Sequence, residues 1–393
     1  MTRSTFELGI NYWPRRSAMY MWRELDLAEV RDDLQQIADM RFDTVRVLTL
    51  LEDFMPRRGV VDATMIGRLA AVAGAAKDAG LSVVPTLIVV NMSGRMWWPD
   101  WMLDQSGSAA DIYEEPVIVD ALIKLVGGCA AALSGDQSVR AFDIANEIDD
   151  AIRPKSRAAG RVWIGAMAAA IRQNAPGIPV RIGAHLPSLT TTNNMRVDDI
   201  GAELDEDVMH AYPLYSDAAR SFLDPELVPF ACALTAALGN TARPTLMQEF
   251  GLCTAPQGAP GHSFTDDFLG TPRSQYLASE AEAATYYDAV LRRLVDTGAA
   301  GAYAWCYGDY DARLFIRPPL DTAVRERTFG LVRADGSEKP AADVFRRFQR
   351  TRDARVAPSG HKPLALDVSA DEYYRAPGAH FNRLYQGWVG ERT

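Results

Sequence analysis

The sequence predicts an α/β protein, a TIM (β/α)8 barrel with elongated βα loops and a C-terminal extension. Short apolar runs alternate eight times with longer segments, most of which show helical periodicity, and several of the apolar runs end in polar residues. This alternation is what parallel strands joined by crossover helices require. With 393 residues, 48% of them hydrophobic, the chain can bury the core of one large barrel.

Taken in order, the apolar runs and the periodic segments give the elements of this barrel. The predicted strands are residues 6–11, 44–50, 81–90, 139–146, 179–184, 207–211, 245–249 and 300–306. The predicted helices are residues 25–40, 64–79, 116–133, 158–174, 225–238, 281–296 and 339–349. In the first helix Leu27, Val30 and Leu34 recur at helical spacing on one face. Periodicity is weak between the fifth and sixth strands, so no helix is placed there. We assign residues 1–357 to the barrel and residues 358–393 to an irregular aromatic extension packed on it.

The composition and net charge of the chain indicate which classes of binding partner are disfavoured. A formal net charge of −10 disfavours nucleic acid and anionic membranes, and a neutral small molecule fits better. The four cysteines are far apart and lack the spacing of metal ligands, so neither a zinc site nor a disulfide framework is expected. The amino terminus has no signal-peptide pattern, which predicts a cytoplasmic protein. Nothing in the sequence addresses the oligomeric state.

Two glutamates follow apolar runs at strand ends. Asn146 and Glu147 end the fourth predicted strand, and Glu249 ends the seventh. A barrel brings the carboxyl ends of its strands to one rim, where its active site lies. Two carboxyl groups are the minimum for glycoside hydrolysis, and one of them must hold a proton. At about 5 Å and an effective dielectric constant of about 20, one charged carboxylate raises the pKa of the other by about two units.

In this order, Asn146-Glu147 and Glu249 resemble the acid/base and nucleophile positions of the clan A glycoside hydrolases, and glycoside hydrolase family 5 is the nearest match. The resemblance extends from Gly9-Ile10-Asn11-Tyr12-Trp13 on the first strand to Trp305 on the eighth. It implies that Glu249 is the nucleophile, that Glu147 is the acid/base, and that Asn146 contacts the sugar 2-hydroxyl.

Further positions carry over from the same family. Arg46 resembles the second-strand arginine that hydrogen-bonds the nucleophile. His210 and Tyr212 match the sixth-strand His-x-Tyr, whose tyrosine hydroxyl contacts the nucleophile. Trp305 resembles the tryptophan that forms the floor beneath the sugar at the cleavage point. Aromatic faces suit sugars because axial C–H groups lie on the ring.

The loops contribute candidates that depend less on the resemblance. Trp97 and Trp98, in the long loop after the third strand, either close a substrate subsite or form a local hydrophobic cluster. His185 and Asp309 are candidates for recognition of sugar hydroxyls. Asn91 stands where many endo-acting members of family 5 have histidine, which disfavours cellulase-type specificity.

The resulting prediction is a retaining, exo-acting β-glycosidase that hydrolyses small oligosaccharides by double displacement and requires no metal or organic cofactor. The first strand and the strand of Arg46 are similar to intracellular bacterial β-mannosidase-like members of family 5, so a β-mannoside is the first substrate to test. Alternatives within the clan are a β-galactosidase, a β-glucosidase or an endo-β-glycanase. A metal-dependent sugar isomerase, with ligands among Glu147, His185, His210, Glu249 and Asp309, and a non-catalytic sugar-binding barrel are more distant alternatives.

Overall fold

The computed structural model describes residues 6–239, 243–268, 270–355 and 364–392. Its strands, numbered along the chain, are β1 Glu7–Tyr12, β2 Thr44–Leu50, β3 Ser82–Val89, β4 Asn91–Met92, β5 Arg95–Met96, β6 Phe142–Asn146, β7 Val180–Gly183, β8 Val208–His210, β9 Leu246–Phe250, β10 His262–Phe268, β11 Thr271–Leu277 and β12 Gly301–Ala304.

Eight of these strands form one parallel sheet in the order β7-β6-β3-β2-β1-β12-β9-β8. The sheet curves until its two edges meet, where the backbone N–H of His210 donates to the carbonyl of Ala184 at 2.8 Å. The predicted TIM (β/α)8 barrel is confirmed. Every residue of β2 and of β6 is buried, as expected for strands covered by helices on one face and by the barrel interior on the other.

Helices surround the barrel. Their bounds are α1 Leu27–Asp39, α2 Leu51–Phe54, α3 Ala63–Asp78, α4 Pro116–Ala132, α5 Ile148–Ala151, α6 Arg157–Asn174, α7 Leu186–Thr190, α8 Val197–Glu203, α9 Leu227–Gly239, α10 Glu280–Asp296, α11 Pro340–Arg355, α12 Ala370–Tyr373 and α13 Pro377–Gly390. Asp26 and Asp62 cap α1 and α3, since their side chains accept from backbone N–H groups of the first turn. Across the described part of the chain, no helix is both long and apolar enough to cross a membrane.

Two segments differ from the sequence prediction. The weakly periodic stretch after β7, in which the sequence analysis placed no helix, holds two short helices, α7 and α8. The long loop after β9 contains an antiparallel hairpin, β10–β11, that turns at Gly270 with φ of +84°. Both hairpin strands are largely exposed and carry many polar residues, so the sequence has no apolar alternation to indicate them.

In the described part of the C-terminal extension, residues 364–392, most residues belong to α12 and α13, so the prediction of an irregular extension is wrong. Phe381, Tyr385 and Trp388 recur at helical spacing along α13, and all three rings contact Phe230 of α9. Pro377 at the start of α13 fits the first helical turn, where its missing N–H is not needed. The predicted boundary between residues 357 and 358 lies outside the described residues.

Candidate active site

A pocket of about 300 Å³ opens at the carboxyl ends of the barrel strands. Strand ends form its floor, and the loops after β3, β9 and β12 form part of its wall. The lining residues that matter below are Asn91, Ser93, Asn146, Glu147, His185, His210, Tyr212, Tyr215, Glu249, Trp305, Arg325 and Glu326.

Glu147 stands directly after β6 in a left-handed backbone conformation, with φ of 42° and ψ of 42°. This conformation costs a non-glycine residue about 1–2 kcal/mol, so the surrounding structure must hold it. The backbone N–H of Glu147 donates to the carbonyl of Gly183 at 3.1 Å, which ties the turn to β7. The turn ends the strand, and Glu147 Oε1 lies 2.8 Å from Nδ1 of His210.

Glu249 lies near the end of β9, and each of its carboxylate oxygens has a donor. Oε1 accepts from the Arg46 guanidinium, and Oε2 accepts from the Tyr212 hydroxyl at 2.8 Å. One carboxylate oxygen of Glu147, one of Glu249 and a ring nitrogen of His210 all lie within 4.8 Å of one another. The two glutamates predicted from the sequence therefore meet in the same pocket.

Arg46 is fully buried beneath the pocket, and its guanidinium joins five strands of the barrel. Its hydrogen-bond acceptors are Asn11, Thr86, Asp143, Asn146 and Glu249. A guanidinium suits this position because its planar fork of donors remains charged when buried. Two of the acceptors are carboxylates, so the cation is balanced where water cannot reach it.

His210 ends β8, and Gly183 leaves room for its ring, since a Cβ on that glycine would lie 2.9 Å from the imidazole Cε1. The side-chain nitrogen of Gln248 is 2.9 Å from Asp143 Oδ2 and 3.2 Å from Nε2 of His210. The carboxylate of Asp143 can only accept, so the Gln248 amide must point its nitrogen, and not its oxygen, toward it. That nitrogen therefore donates to both Asp143 and His210. His210 consequently accepts at Nε2 and donates from Nδ1 to Glu147. Burial lowers the pKa of His210 to about 4, which keeps the ring neutral near pH 7.

His185 lies on the other side of Glu147, just before α7. Its Nδ1 is 3.7 Å from Glu147 Oε2, and its Nε2 is 3.2 Å from Asp149 Oδ2. Burial by itself lowers the pKa of His185, but the carboxylates of Asp149, Glu147 and Asp150 outweigh burial and raise it to about 9. Glu147 thus has a neutral imidazole on one side and a cationic one on the other.

The pKa of Glu147 is raised, and burial is the largest cause. The cation of His185 opposes the effect of burial, Asp149 adds to it, and Arg46 opposes it more weakly. From the sequence, the charge of Glu249 was expected to raise the pKa of Glu147. The structure corrects that cause, since removal of Glu147 from water contributes most.

Other predicted residues also reach the pocket. Asn146 accepts from Arg46 through Oδ1 and donates to the backbone carbonyl of Asn91 at 3.1 Å. The side chain of Asn91 donates to Asp150 at 2.9 Å, and both residues line the pocket. Trp305 also lines it and is 5% exposed. These contacts connect the loop after β3 to the end of β6.

Three predicted residues lie outside the pocket lining, and the structure corrects their assignment to substrate binding. Trp97 is fully buried, and its Nε1 donates to the carbonyl of Met92 at 3.0 Å. Trp98 is partly buried against the hydrophobic core, so the alternative of a local apolar cluster describes both tryptophans. Asp309 is 2.7 Å from the ammonium of Lys339, in a buried ion pair.

Some polar residues that support or line the site were not predicted from the sequence. Asn11, Asp143 and Gln248 are fully buried inside strands and hydrogen-bond the residues described above. A polar residue inside an apolar strand run was the signal that could have identified them, because buried polar groups need partners. Ser93 and Glu326 come from loops, where no such signal exists.

The sequence matches no protein-family model and no curated protein, but solved structures are similar to the chain. A GH5_18 enzyme from Streptomyces cattleya in complex with GlcNAc has a TM-score of 0.81 at 22% identity, over 98% of this chain and 92% of that one. A GH5_18 variant from Bifidobacterium longum in complex with Manβ1-4GlcNAc has a TM-score of 0.76 at 16% identity, over 90% and 80%. An exo-β-1,4-mannosidase from Opitutaceae bacterium strain TAV5 has a TM-score of 0.74 at 25% identity, over 90% and 60%.

These similarities confirm the resemblance drawn from the sequence. The first two relatives are below 25% identity, so what they share with this chain is the fold, and the arrangement of Glu147 and Glu249 comes from the chain's own structure. The chain has the (β/α)8 fold of clan A glycoside hydrolases and is similar to the β-mannosidase-like members of family 5.

Proposed function

We propose that this protein is a retaining, exo-acting β-mannosidase that hydrolyses small oligosaccharides. The observation that carries the proposal is the pair of Glu147, which is partly buried, and Glu249, which is buried; one carboxyl oxygen of each lies within 4.8 Å of the other in one pocket. Retaining glycosidases hold their carboxyl groups about 5–5.5 Å apart, whereas inverting enzymes need about 6.5–9.5 Å to admit a water molecule. The close approach supports retention.

In the first step Glu249 attacks the anomeric carbon while Glu147 protonates the leaving oxygen. The donors on both Glu249 oxygens fix the orientation of that carboxylate toward the sugar. Asn146, held by Arg46, presents its amide beside the pocket for the sugar 2-hydroxyl. In the second step Glu147 removes a proton from water, and the resulting hydroxide releases the sugar from Glu249.

Glu147 must be protonated in the first step, and its surroundings favour this state. Its burial raises its pKa, so the acidic form persists to higher pH than for a glutamate in water. The Nδ1–H of neutral His210 donates to Oε1, which leaves Oε2 to carry the acidic proton. We expect kcat/KM to fall on the alkaline side as Glu147 loses this proton, and to recover on return to lower pH. A pH profile of kcat/KM measures this limb.

Exo action is supported by loops that meet at one side of the pocket. Gly94, between β4 and β5, lies so close to the segment after β12 that a Cβ on it would be 3.1 Å from Nη2 of Arg325. The same arginine is 2.7 Å from Asp266 of β10, so segments from three loops contact one another there. Mannose as the sugar is supported by the relatives, one bound to Manβ1-4GlcNAc and another named as an exo-β-1,4-mannosidase.

A panel of aryl β-glycosides tests the proposal. The intact protein should cleave the β-mannoside fastest and release mannose whose first-formed anomer, observed by NMR, is β. Glu147→Ala and Glu249→Ala should each lose most activity, and Glu114→Ala, which changes an exposed glutamate, should not. With azide, Glu249→Ala should form an α-glycosyl azide, because azide replaces the nucleophile in a single displacement. Glu147→Ala should form a β-glycosyl azide, because azide attacks the glycosyl-enzyme intermediate in the second of two displacements. Near-wild-type activity in both glutamate variants would refute the mechanism.

The alternatives make different predictions in the same assays. Faster cleavage of the galactoside or glucoside, or release of internal fragments from a polymer, would favour other activities of the clan. In a sugar isomerase, Glu147, His210 and Glu249 could hold a metal ion. In this structure, however, Arg46 already donates to Oε1 of Glu249, and Asp309 forms an ion pair with Lys339. Loss of activity with a chelator would favour that alternative. Sugar binding with no hydrolysis of any aryl glycoside would favour a non-catalytic barrel.

A further inference from the structure

A carboxylate that the proposed chemistry does not use lies in the same pocket. Glu326 belongs to the short 3-10 helix Val324–Thr328 after β12 and is 6% exposed. The Tyr215 hydroxyl donates to its Oε1 at 3.2 Å, and Arg325 Nε is 3.3 Å from the same oxygen. Within the described residues, no hydrogen bond of normal geometry reaches Oε2. A buried carboxylate normally satisfies both oxygens, so this one has acceptor capacity left for a ligand.

Ser93 provides a second, independent observation beside Glu326. It lines the pocket, is 9% exposed, and its Oγ forms no hydrogen bond of normal geometry to any described residue. Hydrogen bonding between its hydroxyl and Glu326 offsets part of the rise that burial causes in the pKa of that carboxyl. Two buried polar groups that both retain acceptor capacity therefore lie next to each other.

The backbone at Ser93 indicates that its position is specified. Ser93 and Gly94 form the two-residue turn between β4 and β5, and both have positive φ, 53° and 81°. Such turns favour Asn-Gly or Gly-Gly, since a serine at positive φ is strained. Strain of this kind persists where the structure requires a particular side chain, and it is often found at ligand sites. Here the strained residue is one that lines the pocket.

The location of this pair relative to the nucleophile follows from two tyrosines. Tyr212, which donates to Glu249, has its ring centroid 5.3 Å from that of Tyr215, and Tyr215 donates to Glu326. Arg325, next to Glu326, is anchored by Asp266 of β10 in a fully buried ion pair. The pair thus lies where the three loops meet, in the same pocket as Glu249 and connected to it through Tyr215 and Tyr212.

We propose that Ser93 and Glu326 form a polar clamp that binds hydroxyl groups of the terminal pyranose remote from its anomeric carbon, those on C3, C4 or C6. This inference rests on the proposed function. The Glu326 carboxylate accepts from sugar hydroxyls, and the Ser93 hydroxyl both donates and accepts. A sugar extended by a further glycosidic bond at a clamped hydroxyl would lose its donor and meet the loops. The clamp therefore selects an unsubstituted terminal sugar.

Substrates that lack one hydroxyl test the clamp. We would measure kcat/KM of the wild type, Ser93→Gly, Glu326→Gln and Glu326→Ala on an aryl β-mannoside and on its 3-deoxy, 4-deoxy and 6-deoxy analogues. For the parent substrate we expect losses of about 3- to 10-fold for Ser93→Gly and about 10- to 100-fold for Glu326→Ala, the range for neutral and charged hydrogen bonds. Glu326→Gln should fall between Glu326→Ala and the wild type.

The decisive result is the coupling between variant and analogue. Removal of a clamped hydroxyl should slow the wild type by about as much as the matching substitution does, and should have little further effect on that variant. Additive losses for all three analogues would overturn the clamp. Ser93→Gly relieves the positive φ, so its melting temperature should not fall, and it remains informative if Glu326→Ala does not fold. Ser106→Ala, on an exposed part of the same loop, is the matched control.

Failure of the clamp and failure of the proposed function are distinguishable. If the intact protein cleaves no aryl β-glycoside, the proposed function fails. If it cleaves one, and Ser93→Gly and Glu326→Ala keep wild-type kcat/KM and wild-type discrimination against all three analogues, only the clamp fails.

Discussion

Replacement of His185 by glutamine is expected to remove a pH-dependent part of the free energy of unfolding. The ring of His185 is buried, with Nε2 at 3.2 Å from Asp149 and Nδ1 at 3.7 Å from Glu147. Burial alone would lower its pKa, yet the surrounding carboxylates, including that of Asp150, raise it to about 9. Glutamine retains a donor toward Asp149 but carries no charge.

The size and sign of the effect follow from the two pKa values. Histidine in an unfolded chain has a pKa of about 6.5, so the difference of about 2.5 units corresponds to about 3 kcal/mol. Between pH 6.5 and 9 the folded protein binds more protons at this site than the unfolded chain. The contribution of His185 to stability is therefore complete below about pH 6.5 and is lost as the pH rises through about 9.

Urea unfolding of the wild type and of His185→Gln, at intervals from pH 6 to 9.5, measures this contribution. The difference between their free energies of unfolding should shrink by about 3 kcal/mol across that range. His262→Gln, which changes an exposed histidine on β10, is the matched control and should show no such trend. A difference between wild type and His185→Gln that stays constant from pH 6.5 to 9 would refute the assignment of a cationic His185 beside Glu147.

Two further substitutions test other parts of the structure. Tyr212→Phe removes the hydroxyl that donates to Glu249 Oε2. A hydrogen bond to a charged group contributes about 1.5–3 kcal/mol, so its loss should lower kcat/KM by about 10- to 100-fold. Tyr373→Phe, which removes a buried tyrosine hydroxyl from the C-terminal tail, should leave kcat/KM unchanged, and equal losses in both variants would contradict this role. Lys339→Met leaves the carboxylate of Asp309 buried without its cation, which should lower the free energy of unfolding by about 3–5 kcal/mol with KM unchanged. If Lys339→Met changes KM and leaves the free energy of unfolding unchanged, Asp309 would have to be reassigned to substrate binding.

The barrel could be predicted from the sequence because each of its parts is a local pattern. The apolar run of residues 44–50 coincides with β2, and the run that ends in Asn146 coincides with the end of β6. Strand ends converge by topology, so Glu147 and Glu249 could be placed at one rim although they are 102 positions apart in the sequence. Helical spacing in the tail was also present in the sequence, but the density of aromatic residues there obscured it.

The remaining features depend on pairings that no local pattern specifies. Asp309 follows Trp305 as closely in the sequence as a site residue would. Its carboxylate instead accepts from Lys339, which lies beyond two short 3-10 helices along the chain. Trp97 is buried, and its indole N–H donates to the backbone carbonyl of Met92, five residues earlier in the chain. Ser93 and Glu326 meet only after loops from β3 and β12 fold over the same pocket. Such contacts depend on loop geometry, which composition and periodicity do not determine.

The five strands that Arg46 joins have a consequence for how the molecule opens. Hydrogen exchange at the amides of β2 and β6 should require global unfolding, because separating either strand exposes a buried cation and its carboxylate partners. The exposed hairpin β10–β11 contributes few such contacts and should exchange through local openings. Glu249, on the sheet, and the hairpin, at the edge of the pocket, therefore belong to regions of different local stability. We expect mutations in the hairpin to alter that side of the pocket while the two glutamates keep their spacing.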